Sequence, residues 1–178
     1  MATRHTRIDT ELGRLTLVAD GGRLTGLYFP HHRRKTAGGS RHWYRPLDEA
    51  FGSFVDAETD PLFAEVAAEL GDYLAGRRTS FDVPTAAAGD AFQQRVWALL
   101  DEIPYGTTTT YGDLAERLGD RSLARDVGQA VGRNPLCVIV PCHRVVGKGG
   151  TLTGYAGGLR RKSFLLALED EAAAKVIR

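Results

Sequence analysis

Cysteine is scarce in this chain: Cys137 and Cys142 are the only two among 178 residues. That is too few for a disulfide framework or a cysteine zinc site, so thiol chemistry is expected to run in a reducing compartment. An excess of one charge sign is missing too, with 23 Lys and Arg against 22 Asp and Glu, and net charge alone says nothing about nucleic acid. No apolar run approaches the roughly eighteen residues of a membrane span. The polar stretch Met1 to Asp9 lacks a signal-peptide core, which makes the expected location cytoplasmic. The length suffices for one large domain or two small ones, each with a real core.

Leu12 to Val18 and Leu24 to Phe29, after Arg7 to Asp9, predict three antiparallel strands with turns at Gly13 and Gly21-Gly22. His31 to Ser53 reads as a long basic loop, whose His31, His32 and His42 suit a solvated surface better than a metal site. Thr59 or Asp60 then caps a helix from Pro61 whose apolar face is Leu62, Phe63, Val66, Leu70, Tyr73 and Leu74. Thr79 to Val83 predicts a further strand. The Pro/Ala/Gly-rich piece from Pro84 to Gly89 reads as a linker, giving an α/β domain over 1–84, a linker at 85–89 and a second domain over 90–178.

Asp90 and Gln93 form a capping-box pattern for a helix with Phe92, Val96, Trp97, Leu100 and Ile103 on one face. Thr110 caps a helix over Tyr111 to Leu118, and Ser122 caps a second over Leu123 to Val131, a helix-turn-helix pattern. Any αα-hairpin looks like this, but here Arg121, Arg125 and Arg133 flank the second helix, as meeting phosphates and bases requires. From Arg117 to Lys162 nine basic residues face two acids, Asp120 and Asp126. Asn134-Pro135 turns the chain into Leu136 to Val140, an apolar run predicting a buried strand that stops at Pro141. A last helix is expected from about Ser163, with Phe164, Leu165 and Leu168 inward and Glu169 free to face something basic.

Cys142, His143 and Arg144 place a thiol, an imidazole and a guanidinium between two buried-looking segments. A cysteine attacks only as thiolate, and a free thiol is mostly protonated near neutrality, so the two cationic neighbours matter. In an extended segment His143 would point away from Cys142, so a turn at Pro141 or a bridging water is needed. An imidazole that takes a proton has its other nitrogen held by an acceptor, a part open to Glu169. Cys137, between Leu136 and Val138, reads as a small buried hydrophobe.

The octapeptide Ile139-Val140-Pro141-Cys142-His143-Arg144-Val145-Val146 resembles the active-site signature of the O6-alkylguanine-DNA alkyltransferases, the methylated-DNA–protein-cysteine methyltransferases. The likeness runs in order through Phe92-Gln93-Gln94-Arg95-Val96-Trp97, Ile103-Pro104-Tyr105-Gly106, Tyr111-Gly112, Ala124-Arg125, Gly132-Arg133-Asn134-Pro135 and Tyr155-Ala156-Gly157-Gly158. It covers essentially all of Phe81 to Glu169.

The resemblance implies a ribonuclease H-like α/β N-terminal lobe, with an antiparallel or mixed sheet and a helix. It also implies a mainly α C-terminal lobe holding the helix-turn-helix and the active-site cysteine. The implied activity is direct DNA repair. An alkyl group moves irreversibly, once per molecule, from O6-alkylguanine in double-stranded DNA onto Cys142, from a flipped-out base. O4-alkylthymine stays open as a second substrate. No cofactor, metal or obligate protein partner is implied.

By the same resemblance His143 is the water-linked base, Glu169 orients it and Tyr111 attends the departing guanine. Arg125 replaces the flipped base in the stack, while Asn134 ties the helix pair to the active-site turn and is grouped with Arg133 and Arg144 as DNA-facing. Val145, Tyr155 and Ala156 line the guanine pocket. Asp126 departs from the family pattern by placing a negative charge beside Arg125. Two rivals stay open: a lesion binder that transfers nothing, and a thiol hydrolase using Cys142 and His143.

Overall fold

Tight glycine turns join β1 (Arg4–Thr10), β2 (Gly13–Asp20) and β3 (Arg23–Tyr28). The computed structural model describes residues 2–30 and 51–176, which divide into two compact units, Met1–Ala88 and Gly89–Arg178. In the first unit β1 and β2 pair antiparallel with Ile8 opposite Leu15, and β2 pairs antiparallel with β3. A fourth strand, β4 (Ser53–Phe54), joins the sheet parallel to β1, giving the order β3-β2-β1-β4. Its first residue falls at the end of the stretch read as loop, a correction. Gly52 explains how the chain arrives there: at φ 74° a Cβ would lie 1.8 Å from the Thr3 carbonyl oxygen, so only glycine fits. His31, His32 and His42 lie outside the described residues.

β2 is buried from Leu15 through Ala19, on both faces. α1 (Pro61–Leu74) buries Leu62, Phe63, Val66, Leu70, Tyr73 and Leu74. Each large apolar side chain so buried contributes about 1.5–3 kcal/mol. Asp60 caps α1 by accepting from the Leu62 and Phe63 amides. Its hydrogen bond with Arg4 holds its carboxyl below the usual range, against the opposing effect of burial. The strand expected over Thr79 to Val83 does not form. Side chains claim the segment instead, Glu69 accepting from the Asp82 amide at 2.9 Å and pairing with Arg78. The next residues, expected as linker, lie along β3: Leu24 donates to Pro84 O and accepts from the Ala86 amide, each at 2.9 Å.

The second unit opens with α2 (Ala91–Asp101), entered through a complete Asp90–Gln93 capping box. Trp97 Nε1 donates to Ala130 O at 2.8 Å, tying α2 to α4 (Ala124–Gly132). Between them stand β5 (Thr109–Thr110) and α3 (Tyr111–Arg117), which Thr110 caps. Gly119, at φ 102°, turns the chain toward α4. Asp120, rather than Ser122, is the capping residue here: it accepts from the Ser122 amide, and Arg121–Leu123 forms a 3-10 turn leading into α4. β6 (Val145–Val146) pairs parallel with β5, Thr109 opposite Val145 and Thr110 opposite Val146. α5 (Leu159–Val176) starts at Leu159 rather than Ser163, directly after Gly158 at φ 87°. Its buried stripe is therefore Lys162, Leu165 and Glu169, and Phe164, expected inward, is exposed.

Candidate active site

The run Leu136 to Val140 is buried but is a turn rather than the expected strand. The Val140 amide donates back to Leu136 O at 2.9 Å, and Val138 sits at φ 73°, a conformation that opposes a β-branched side chain. Asn134 holds that turn from within. Its Nδ2 donates to Val140 O and its Oδ1 accepts from the Leu136 amide, both at 2.9 Å. The Leu136 amide would otherwise go unsatisfied in an apolar run, while Val140 O also accepts from the Cys142 amide at 2.8 Å. Past Pro141, Cys142 to Arg144 make a 3-10 turn, with the Arg144 amide on Pro141 O at 3.1 Å.

Cys142 is 5% exposed and free. Its thiol is pulled below the ordinary value chiefly by a hydrogen bond from Cys137, with Asn134 and the charge of Lys162 acting in the same direction against burial. Cys137 is pushed well up by the same pair and by burial, so it keeps its proton. Its Sγ–H donates to the Asn134 carbonyl at 3.7 Å. Cys137 is 1% exposed, as its place between Leu136 and Val138 predicts.

His143 is fully buried, with Nε2 2.8 Å from Glu169 Oε1. Burial lowers its pKa, outweighing the upward pull of Glu169, while Arg144 and Lys162 push it further down. A neutral imidazole bonded this way donates Nε2–H to the carboxylate and keeps the lone pair on Nδ1. Glu169 is shared: Arg144 donates Nε at 2.9 Å to Oε2 and Nη2 at 2.8 Å to Oε1, and the Gly106 amide donates at 3.3 Å. Arg144 also donates Nη1 to Ile103 O at 2.7 Å, with its guanidinium 5.5 Å from the Tyr105 ring centroid.

Four residues were expected to face DNA, and the structure separates them. Arg125 and Arg133 are exposed, at the start of α4 and just past its end, while α4 turns Val127, Ala130 and Val131 inward. Asn134 and Arg144 are 4% and 7% exposed and fully engaged inside the unit, so neither offers its side chain to a phosphate. This corrects their grouping with the DNA contacts. Arg144 instead anchors Glu169. Asp126 is exposed and carries no ion pair among the described residues.

The β5–β6 pairing sets Tyr111 beside the turn that bears Cys142. Burial raises the Tyr111 phenol pKa, which the Thr153 hydroxyl, 3.4 Å away, partly offsets, and the charge of Cys142 raises it further. The phenol therefore holds its proton for donation. Val145 is buried, and its carbonyl accepts from Lys162 Nζ at 2.6 Å, leaving a second lone pair. Tyr155 and Ala156 are half-buried in the turn before α5, closed by the Gly158 amide on Tyr155 O at 2.9 Å. Lys162 and Thr153 were not singled out in the sequence. A lysine at the apolar spacing of Leu165 was the available sign.

Residues 91–171 match the family model described as 6-O-methylguanine DNA methyltransferase, DNA binding domain. Residues 3–87 match the one described as 6-O-methylguanine DNA methyltransferase, ribonuclease-like domain. A methylated-DNA–protein-cysteine methyltransferase of Mycobacterium tuberculosis is 44% identical over 169 residues, 95% of this chain and 93% of that one. One from Mycolicibacterium paratuberculosis is 52% identical over 165 residues, 93% of this chain and 91% of the relative. The crystal structure of Mycobacterium tuberculosis O6-methylguanine methyltransferase superposes with a TM-score of 0.81 at 39% identity, covering 99% of this chain and 100% of that one. The Mycobacterium tuberculosis protein OGT in complex with DNA gives a TM-score of 0.81 at 40% identity, over 95% and 94% of the two chains.

Proposed function

The chain belongs to the 6-O-methylguanine DNA methyltransferase family, and from that premise we propose that Cys142 is the alkyl-accepting cysteine of a DNA-repair transfer. The activity is direct repair: the alkyl group leaves O6 of guanine in DNA and stays on the protein, so each molecule reacts once. The observations that support the assignment to Cys142 are the lowering of its thiol beside Cys137, Asn134 and Lys162 and, at the next two positions of the same turn, the network of His143 and Arg144 on Glu169.

The Cys142 proton passes to His143 Nδ1, through a water where the two do not touch. The thiolate pair forms a bond to the alkyl carbon as the carbon–O6 bond breaks, and its electrons stay on the guanine. Tyr111 supplies the proton that guanine takes up. The base must leave the duplex first, and Arg125, exposed at the start of α4, fills the gap. Val145 and Ala156 meet the guanine edge through their backbones, with Tyr155 beside them. Arg133 contacts the phosphates. O4-alkylthymine is a second substrate only where the same pocket accepts a pyrimidine. Among the described residues no helix is long and apolar enough to cross a membrane. A thiol that must stay reduced suits the cytoplasm.

Incubation with a duplex carrying O6-methylguanine, followed by peptide mapping, is expected to find one methyl per protein on Cys142 and none in Cys142→Ser. Methyl on Cys137, repeated turnover, or binding without loss of the methyl group would defeat the assignment.

A further inference from the structure

Lys162 has no part in the chemistry assigned so far, yet it is among the most deeply buried side chains of the molecule, at 0% exposure. α5 carries it on the same stripe as Leu165 and Glu169. Its Nζ donates to Val145 O at 2.6 Å and to Thr153 O at 2.7 Å. Both partners are neutral carbonyls. Among the described residues no carboxylate pairs with it, because Glu169 on the same helix is already taken by Arg144 and His143. A buried ammonium without a counter-ion is costly, and burial lowers this one to about 8.

One group near it can carry the missing negative charge. From the 3-10 turn Lys162 feels Cys142 and His143, and of these only the sulfur becomes an anion. The effect is mutual, the thiolate holding the ammonium protonated and the ammonium favouring the thiolate. The tether matters as well. Val145 comes directly after the acceptor turn, and the Thr153 hydroxyl lies 3.4 Å from the Tyr111 phenol oxygen. One ammonium therefore joins the wall beside the nucleophile to the wall beside the acid.

We propose that Lys162 is a positioning residue for alkyl transfer: it fastens the Val145 and Thr153 carbonyls together and serves as counter-ion to the Cys142 thiolate. The proposal rests on the reading of Cys142 as acceptor, and its test includes a measurement made without DNA.

Alkylation of Cys142 by iodoacetamide is followed against pH by peptide mapping in the wild type, Lys162→Met, Lys162→Gln and Lys162→Arg. Loss of the charge in the Met and Gln variants is expected to raise the reaction midpoint by about one pH unit or more, with Lys162→Arg staying near the wild type. At neutral pH, transfer from O6-methylguanine duplex is expected to slow roughly tenfold in the Met and Gln variants, the factor that one pH unit of thiolate represents. Thermal melts identify the folded variants, and where Lys162→Met does not fold, Lys162→Gln, which keeps donors for both carbonyls, decides. An unmoved midpoint in a folded, uncharged variant overturns the proposal, as does a rate loss that only tracks melting temperature. If wild-type protein transfers no methyl to Cys142, the functional assignment fails, while the iodoacetamide midpoints still judge Lys162.

Discussion

Arg144 shows how much depends on where one side chain ends up. From sequence it is a cation in a basic window, and in the structure it is a fixture of the interior that donates to both oxygens of Glu169 and to Ile103 O. The two roles predict different behaviour. Removing a phosphate contact weakens DNA binding, reduces its salt dependence and leaves the fold alone. Removing one member of a buried ion pair strands the other, at about 3–5 kcal/mol. Arg144→Met is therefore expected to lower unfolding free energy by that amount in urea titration. A variant with wild-type stability and a flatter salt dependence would return Arg144 to the DNA surface. Sequence could not separate these outcomes, since charge counts carry no information on burial. The burial of Cys142 and His143, by contrast, was legible, because they stand between two apolar segments.

At the scale of elements, the turn Leu136 to Val140 was the principal misreading and the reason is physical. A short apolar run is compatible with a buried strand and with a buried turn alike, and periodicity does not distinguish them. What decided was Asn134, whose amide stands in for the missing ladder by taking Val140 O and the Leu136 amide. Asn134→Ala leaves the Leu136 amide buried and unpaired, at about 1–3 kcal/mol, and leaves Val140 O with the Cys142 amide alone, at 2.8 Å, with Val138 still held at φ 73°. Hydrogen exchange is expected to show the Leu136 and Val140 amides opening well before the α2 core, together with slower alkyl transfer. Protection equal to wild type would mean that the turn holds without its clasp. The helices were easier to read. Asp60 and Asp90 announced α1 and α2 through side chains that reach only local backbone, so their information is local. β4 was out of reach, since two residues paired to a distant strand carry no local pattern.

For the molecule as a whole, the buried imidazole links acceptor chemistry to pH-dependent stability. The folded-state pKa of His143 lies below its ordinary value. The unfolded chain therefore binds the extra proton first, and stability is lost as pH falls below about 6.5. Asp60 adds a second loss only at lower pH, because its folded pKa lies below the usual carboxyl value and its contribution persists until that lower pKa is crossed. Urea midpoints are expected to decline from about pH 7 toward pH 5, with a shallower decline in His143→Gln. Identical declines in both proteins would remove His143 as the cause.

The pairing of β5 with β6 has one more consequence. Thr109 opposite Val145 and Thr110 opposite Val146 form a narrow clip at the root of the chemistry, and α3, its turn, α4 and the Asn134 turn make up the loop that this clip closes. The spacing of Tyr111 and Cys142 is set at the neck of that loop. The exposed positions Asp126 and Gln129 on the outer face of α4 can therefore be changed while the spacing of Tyr111 and Cys142 is kept. Selection, or a protein engineer, has in the outer face of α4 a surface that can be varied without moving the neck that holds Tyr111 and Cys142.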